Sequence, residues 1–222
     1  MERKLTGVLD LLIEYRTVAG PSEVTEIEKK SKFIAYVEPV ESVAEAEEFI
    51  ARISKMNWDA THNVYAYVIG PTGEQQKCSD DGEPSGTSGL PTLEAIKSLE
   101  LVNVAIVVTR YFGGILLGRG GLIRAYGGAA RSGLLAAGIV KKVPHRQVFL
   151  TVDYSLSGKV ENDLINSGIA ISDTSYMADV TYTLNVLPER LDEVKQRVQE
   201  LTADQFKWSL GEEVYHTIKV SE

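Results

Sequence analysis

The spacing of apolar residues changes several times along the chain, and each change marks an element. Val8 to Tyr15 has the spacing of a short helix, stopped by the breaker Ala19-Gly20-Pro21. Glu23 to Lys29 reads as a half-buried strand weakly marked by Val24 and Ile27. Phe33 to Val37 continues as a second strand after the turn Lys29-Lys30-Ser31-Lys32, which predicts a hairpin. Ser42 with Glu45 three residues on is a capping box, and Val43, Ala46, Phe49, Ile50 and Ile53 form the buried stripe of the helix it opens. His62 to Ile69 is a strand closed by the turn Gly70-Pro71-Thr72-Gly73. A helix over Thr92 to Leu99 and a buried strand over Val104 to Val108 follow. Leu122 to Gly138 has helical spacing but carries mostly glycine and alanine on one side. Glycine inside a helix costs about 1 kcal/mol relative to alanine, so the adjacent Gly127 and Gly128 predict the close approach of another backbone or a ligand.

After Pro144 the pattern changes. A strand over Val148 to Tyr154, a helix over Ser157 to Asn166, and strands over Ile169 to Tyr176 and Val180 to Val186 lead to a helix over Pro188 to Leu201 and an extended end over Lys207 to Val220. This β-α-β-β-α-β order is ferredoxin-like. The fold class is therefore α+β in two domains, divided as an N-terminal extension (1–22), a first domain (23–143) and a ferredoxin-like domain (144–222).

The 222 residues are enough for two cores without disulfides or metals. Charges interrupt the short apolar run around Leu9 to Ile13, and no uncharged stretch reaches membrane-spanning length, so a cytoplasmic protein without a membrane partner is expected. The single cysteine, Cys78, fits a reducing compartment, and its acidic neighbours disfavour a reactive thiolate. The net charge of −8 hides an uneven distribution: residues 102–146 hold seven basic and no acidic side chains, while the flanking segments are both acidic. A cationic island in an anionic chain can attract a phosphate-bearing partner, or be neutralised by acids elsewhere in the fold.

The charges and glycines are densest from Ser79 to Arg131. Arg110, Arg119 and Arg124 bracket Gly113-Gly114 and Gly120-Gly121, and the second pair opens the helix. A helix start favours anions, so this block is a candidate phosphate cradle, although it matches neither dinucleotide-binding nor P-loop spacing. Tyr111, Phe112 and Tyr126 interleave with the arginines as rings that could stack on unpaired bases. Lys77 and His62 can extend the surface, and Ser85, Thr87 and Ser88 are hydroxyl donors to an anion or plain turn residues. Asp80, Asp81 and Glu83 lie within four residues. They could hold Mg²⁺ for a hydrolase or nuclease, pair with the arginines, or cap the next helix. His145 adjoins other cations and His216 has a structural reading. The histidines and Cys78 lack zinc-site spacing.

Four segments, KKSKFIAYV (Lys29 to Val37), WDATHN (Trp58 to Asn63), SDDGEPSGTSG (Ser79 to Gly89) and VVTRYFGGILLGRGGLIRAYGGA (Val107 to Ala129), closely resemble the IMPACT family, and the two-domain layout resembles its bacterial YigZ branch. The resemblance implies that the first domain has the sandwich fold of the second domain of ribosomal protein S5. It implies that the second is similar to the ferredoxin-like fifth domain of elongation factor G. It also implies a link to translation, which eukaryotic relatives regulate by competing for the activator of an amino-acid-starvation kinase. A translation-associated binder of RNA or the ribosome is the expectation, without a cofactor and without DNA sequence recognition. A metal-dependent hydrolase and a module that binds a translation-regulatory protein are the alternatives.

Overall fold

The computed structural model describes residues 13–220. Contacts divide the chain into two compact units, Ile13–Lys142 with the residues from Thr217 onward, and Val143–His216.

The first unit contains β1 (Tyr15–Val18), β2 (Ser22–Glu28), β3 (Ser31–Pro39), α1 (Val43–Met56), β4 (His62–Ile69), β5 (Gln75–Ser79), α2 (Gly89–Ser98), β6 (Val104–Tyr111) and α3 (Gly118–Ala136), and ends in the first residues of β7 (Ile139–Val152). Its sheet has the order β2-β3-β6-β4-β5, with antiparallel pairing throughout. Helix α1 covers one face through Ala46, Phe49 and Ile53 against Ile34, Tyr36, Tyr67 and Val107. Helices α2 and α3 cover the other, where Phe33, Ala35, Val64, Val108, Tyr126 and Leu134 form the core. β6 is therefore buried on both faces, which explains its unbroken run Val104-Ala105-Ile106-Val107-Val108.

The helix expected over Val8 to Tyr15 falls largely outside the described residues, and Tyr15 itself opens a strand. β1 pairs with β7 from Tyr15↔Lys142 to Val18↔Ile139, so these residues of the expected extension are part of the first unit's framework. The Ser42 cap forms as read, with the Glu45 N–H donating to Ser42 Oγ at 3.2 Å, while the Glu45 carboxylate accepts the N–H of Glu41, one residue before the cap, at 2.9 Å. β5 went unpredicted because Gln75-Gln76-Lys77 has no apolar alternation. As an edge strand paired only with β4, it needs none.

Two differences at glycines and turns bear on the site. Helix α3 begins at Gly118, four residues before its expected start, so Gly120-Gly121 lies inside its first turn. The close approach expected at Gly127 and Gly128 occurs instead at Gly133. A Cβ there would lie 2.8 Å from the Ala35 Cβ, whereas nothing comes within 3.8 Å at the adjacent pair. The β2–β3 turn is tighter than the four residues expected, with only Lys29 and Lys30 at its tip and φ of 46° and 67°. That is the two-residue hairpin geometry which normally selects asparagine or glycine.

The second unit runs from β7 through α4 (Tyr154–Asn166), β8 (Ala170–Tyr176), β9 (Val180–Val186), a 3-10 turn (Pro188–Arg190) and α5 (Leu191–Thr202) to β10 (Phe206–Lys219). Its sheet order β8-β9-β7-β10 is the ferredoxin-like arrangement, with Val160, Leu164, Val194 and Val198 packed on Val148, Leu150, Tyr182 and Leu184. The long first strand starts well before Val148 because Ile139 to Gln147 stays extended across a half-buried surface. Among the described residues, no helix is long and apolar enough to cross a membrane.

Candidate functional site

The acidic loop between β5 and α2 is organised from within. Asp80 Oδ1 accepts the N–H groups of Ser88 and Gly89 and the Ser88 hydroxyl at 3.1, 2.8 and 2.8 Å, and Oδ2 accepts the Gly86 N–H at 2.9 Å. Burial alone would raise the Asp80 carboxyl, but the hydrogen bonds from Gly86, Gly89 and Ser88 outweigh it and hold the group below the usual carboxylate range. Ser88 gives α2 no side-chain cap, so Asp80 satisfies the helix start from across the loop. Gly89 is required by contact, since a Cβ there would lie 2.7 Å from the Ser79 backbone.

Asp81 turns the other way. Its Oδ2 accepts the Asn63 N–H at 2.6 Å and its carbonyl lies 2.6 Å from His62 Nδ1, so it fixes the start of β4. A carbonyl can only accept, so the His62 Nδ1 carries a proton. Nε2 lies 3.8 Å from Glu83 Oε1.

Glu83 is buried with Arg110, at 8 % and 5 % exposure. Arg110 Nη1 donates to Glu83 Oε1 at 2.6 Å, and the Tyr126 hydroxyl donates to the same oxygen at 2.8 Å. Burial, reinforced by the Glu83 charge, pushes the Tyr126 phenol far above its ordinary value, so it remains a donor. The Arg110 guanidinium lies 5.5 Å from both the Phe33 and Phe112 rings, and Nη2 donates to Ser31 Oγ at 3.4 Å. Its Nε is buried and has no acceptor among the described residues.

The three carboxylates are thus committed to different partners. Among the described residues no group of three or more His, Cys, Asp or Glu side chains could hold a metal ion. The expected Mg²⁺ alternative at Asp80, Asp81 and Glu83 has no geometric support.

The candidate phosphate cradle also needs correction residue by residue. Arg110 is not a free cation, because Glu83 neutralises it. Tyr126 is fully buried in the core and cannot stack on a base. Tyr111 is half-buried, with its hydroxyl placed to donate to Asp59 Oδ1 at 3.1 Å or Asn57 Oδ1 at 3.3 Å, which leaves Phe112 as the exposed ring. Thr87 is buried and donates to the Pro84 carbonyl. Ser85 offers its carbonyl to Arg119 at 3.1 Å. Lys77 pairs with Glu47 on α1 at 3.3 Å and does not line the cleft described below. Gly113 is pressed against the hairpin, where a Cβ would lie 2.0 Å from the Lys30 carbonyl carbon, whereas Gly114 at φ 81° meets open space.

What the fold does bring together is a cleft of about 510 Å³ at the start of α3, lined by His62, Glu83, Arg110, Phe112, Leu116, Leu117, Gly118 and Arg119 among others. Phe112 is 46 % and Leu116 83 % exposed at its rim. α3 starts without a side-chain cap or a first-turn acid. On the other side of the helix start, Arg124 shares a groove with Lys29, Glu26 and Glu28. The Lys32 ammonium lies 5.9 Å over the Tyr111 ring. Sequence reading treated Lys29, Lys30 and Lys32 only as a turn. Three lysines in four residues were the available signal for a charged tip.

The comparisons agree with this architecture. The Impact N-terminal domain family matches residues 29–134, and a domain of unknown function, DUF1949, matches 150–205. The IMPACT family member YvyE of Bacillus subtilis is 41 % identical over 205 residues, covering 92 % of this chain and 94 % of that protein. The member YigZ of Escherichia coli is 36 % identical over 67 % of this chain and 78 % of its own length. A solved structure described as a hypothetical protein superposes with a TM-score of 0.59 at 30 % identity, covering 91 % of this chain and 99 % of that one. By this identity over nearly its full length, the chain belongs to the IMPACT family.

Proposed function

We propose that the chain is a translation-associated factor whose first unit binds single-stranded RNA, free or displayed on the ribosome. The binding face would run from the β2–β3 tip across residues 112–119 to the start of α3. Membership of a family whose eukaryotic members regulate translation supports the setting. One observation carries the binding mode: Lys29 and Lys30 hold left-handed backbone angles beside an exposed phenylalanine and an uncapped helix start bearing Arg119. Left-handed geometry costs a non-glycine residue roughly 1–2 kcal/mol. Strain of this kind collects at functional sites, where structure holds it for a purpose. The lysines and Arg119 would contact phosphates, and Phe112 would stack on an unpaired base.

The test is titration of the full chain with a labelled single-stranded RNA at several salt concentrations. The triple variant Lys29→Ala, Lys30→Ala, Arg119→Ala should reduce the logarithmic salt slope by about 2, the value for three lost phosphate contacts on a single strand. An unchanged slope with an unchanged melting temperature would reject the face. Absence of RNA binding, with a protein partner retained after nuclease treatment, would favour a protein-interaction module instead.

A further inference from the structure

We propose that the cleft at the start of α3 captures the 5′-phosphorylated terminal nucleotide of an RNA strand. This rests on the RNA-binding reading and assigns the cleft an occupant within that face. Three independent features converge there. The first is the start of the 19-residue α3, where Leu117 provides no side-chain cap and no acid stands in the first turn, so its N–H groups and positive dipole end are open to an anion. The second is Arg110, 5 % exposed and lining the same cleft, whose buried Nε finds no acceptor among the described residues. A buried donor left unsatisfied is costly, and an anion oxygen would satisfy it. The third is shape. At about 510 Å³ the cleft is in the size range of small-ligand pockets, enough for one nucleotide.

The charge balance favours a strand end over an internal phosphodiester. Glu83 is offset by Arg110 at 2.6 Å, which leaves Arg119 and the helix start as the net positive groups of the cleft. A terminal phosphomonoester carries about −1.5 to −2 at neutral pH, more than the single charge of a diester, and so gains more from both. Phe112 and Leu116 supply an apolar wall for the base. His62, with its Nδ1 proton given to the Asp81 carbonyl, has Nε2 left to hydrogen-bond the ribose or base edge. Gly118, at φ 69° with nothing within 4 Å of where a Cβ would stand, lets the phosphate reach the backbone.

The experiment compares one oligoribonucleotide with a 5′-phosphate and with a 5′-hydroxyl, bound to the full chain at constant salt. The phosphorylated form should bind at least about tenfold tighter, the scale of one charge-assisted hydrogen bond. The variant Gly120→Asp puts a carboxylate in the first turn of α3, where a Cβ would meet only Arg124 Nη1 at 3.5 Å. An acid at this position supports the helix, so the melting temperature should hold or rise while the preference for the 5′-phosphate disappears. Equal binding of the two ends would overturn end capture and leave RNA binding standing. Failure of both oligonucleotides to bind would overturn the RNA reading and the inference with it. A preference that persists in Gly120→Asp would remove the cleft as its source.

Discussion

The acidic loop with Arg110 and the rim around Arg119 lie within forty residues of one another, share glycines and charges, and look alike as sequence. In the fold they are opposites. Asp80 is held by Ser88 and by loop backbone, and Glu83, Arg110 and Tyr126 bond to one another inside the protein, with the Arg110 Nε left without an acceptor among the described residues. Phe112, Leu116 and Arg119 are exposed, and among the described residues Arg119 makes one hydrogen bond, to the Ser85 carbonyl. A charged, glycine-rich stretch is therefore not one surface: its first half builds the support on which its second half is displayed.

The sharpest way to break this contrast is to remove Arg110. A buried charge without its partner costs roughly 3–5 kcal/mol, so Arg110→Ala should lower stability by about that much in denaturant titration. The double change Arg110→Met with Glu83→Leu removes both charges and should recover most of the loss. An Arg110→Ala protein as stable as the parent would mean that the ion pair does not hold the fold. Next in size is Tyr126→Phe, which deletes a hydrogen bond to a buried carboxylate. Bonds to charged groups contribute about 1.5–3 kcal/mol, and the ring keeps its packing on Phe33.

Much of this fold is legible from periodicity, because burial on one face imposes it. The α1 stripe, the β4 limits and the order of the second unit all follow from apolar spacing, with tight turns marked by glycine and proline. The split within the charged stretch is not legible. Whether Arg110 faces solvent depends on β6 being the central strand of the sheet, and whether Glu83 reaches it depends on a loop that folds around Asp80. Both are tertiary facts without a local signature. Tyr126 was similarly ambiguous, since an aromatic at helical spacing looks the same whether it meets a core or a base. The lysines at the hairpin tip were legible as charge but not as strain, because only the two-residue turn forces both residues to positive φ.

Asp80 sharpens the comparison at intermediate size. Asp80→Asn keeps an acceptor for Ser88 and Gly89 but turns an amide against the Gly86 N–H, and losing such a cap costs about 1–2 kcal/mol. The same group predicts a pH dependence. Its carboxyl is lower in the folded state than the ordinary value of 3.8, so its contribution is complete above that value. Stability should then fall as pH drops from about 4 through the folded-state value. The Asn variant should show a flatter acid limb in melting temperature against pH. An identical limb would mean that other carboxylates carry the acid sensitivity.

The smallest effects belong to the rim, and their size is the argument. Leu116 is 83 % exposed, so Leu116→Ser removes little buried area and should change stability by no more than about 0.5 kcal/mol. Arg119 stands in the first turn of α3, where a cation opposes the helix dipole by about 0.3–1 kcal/mol at an exposed position. Losing its hydrogen bond to the Ser85 carbonyl works the other way. Arg119→Ala should therefore leave the melting temperature unchanged or slightly raised. A residue that does not help the fold, displayed beside an exposed ring at a helix start, fits the RNA contact proposed for it. Thermal melts of both variants check this: a drop of several degrees in either would show that the rim supports the fold, and the division between support and display would fail.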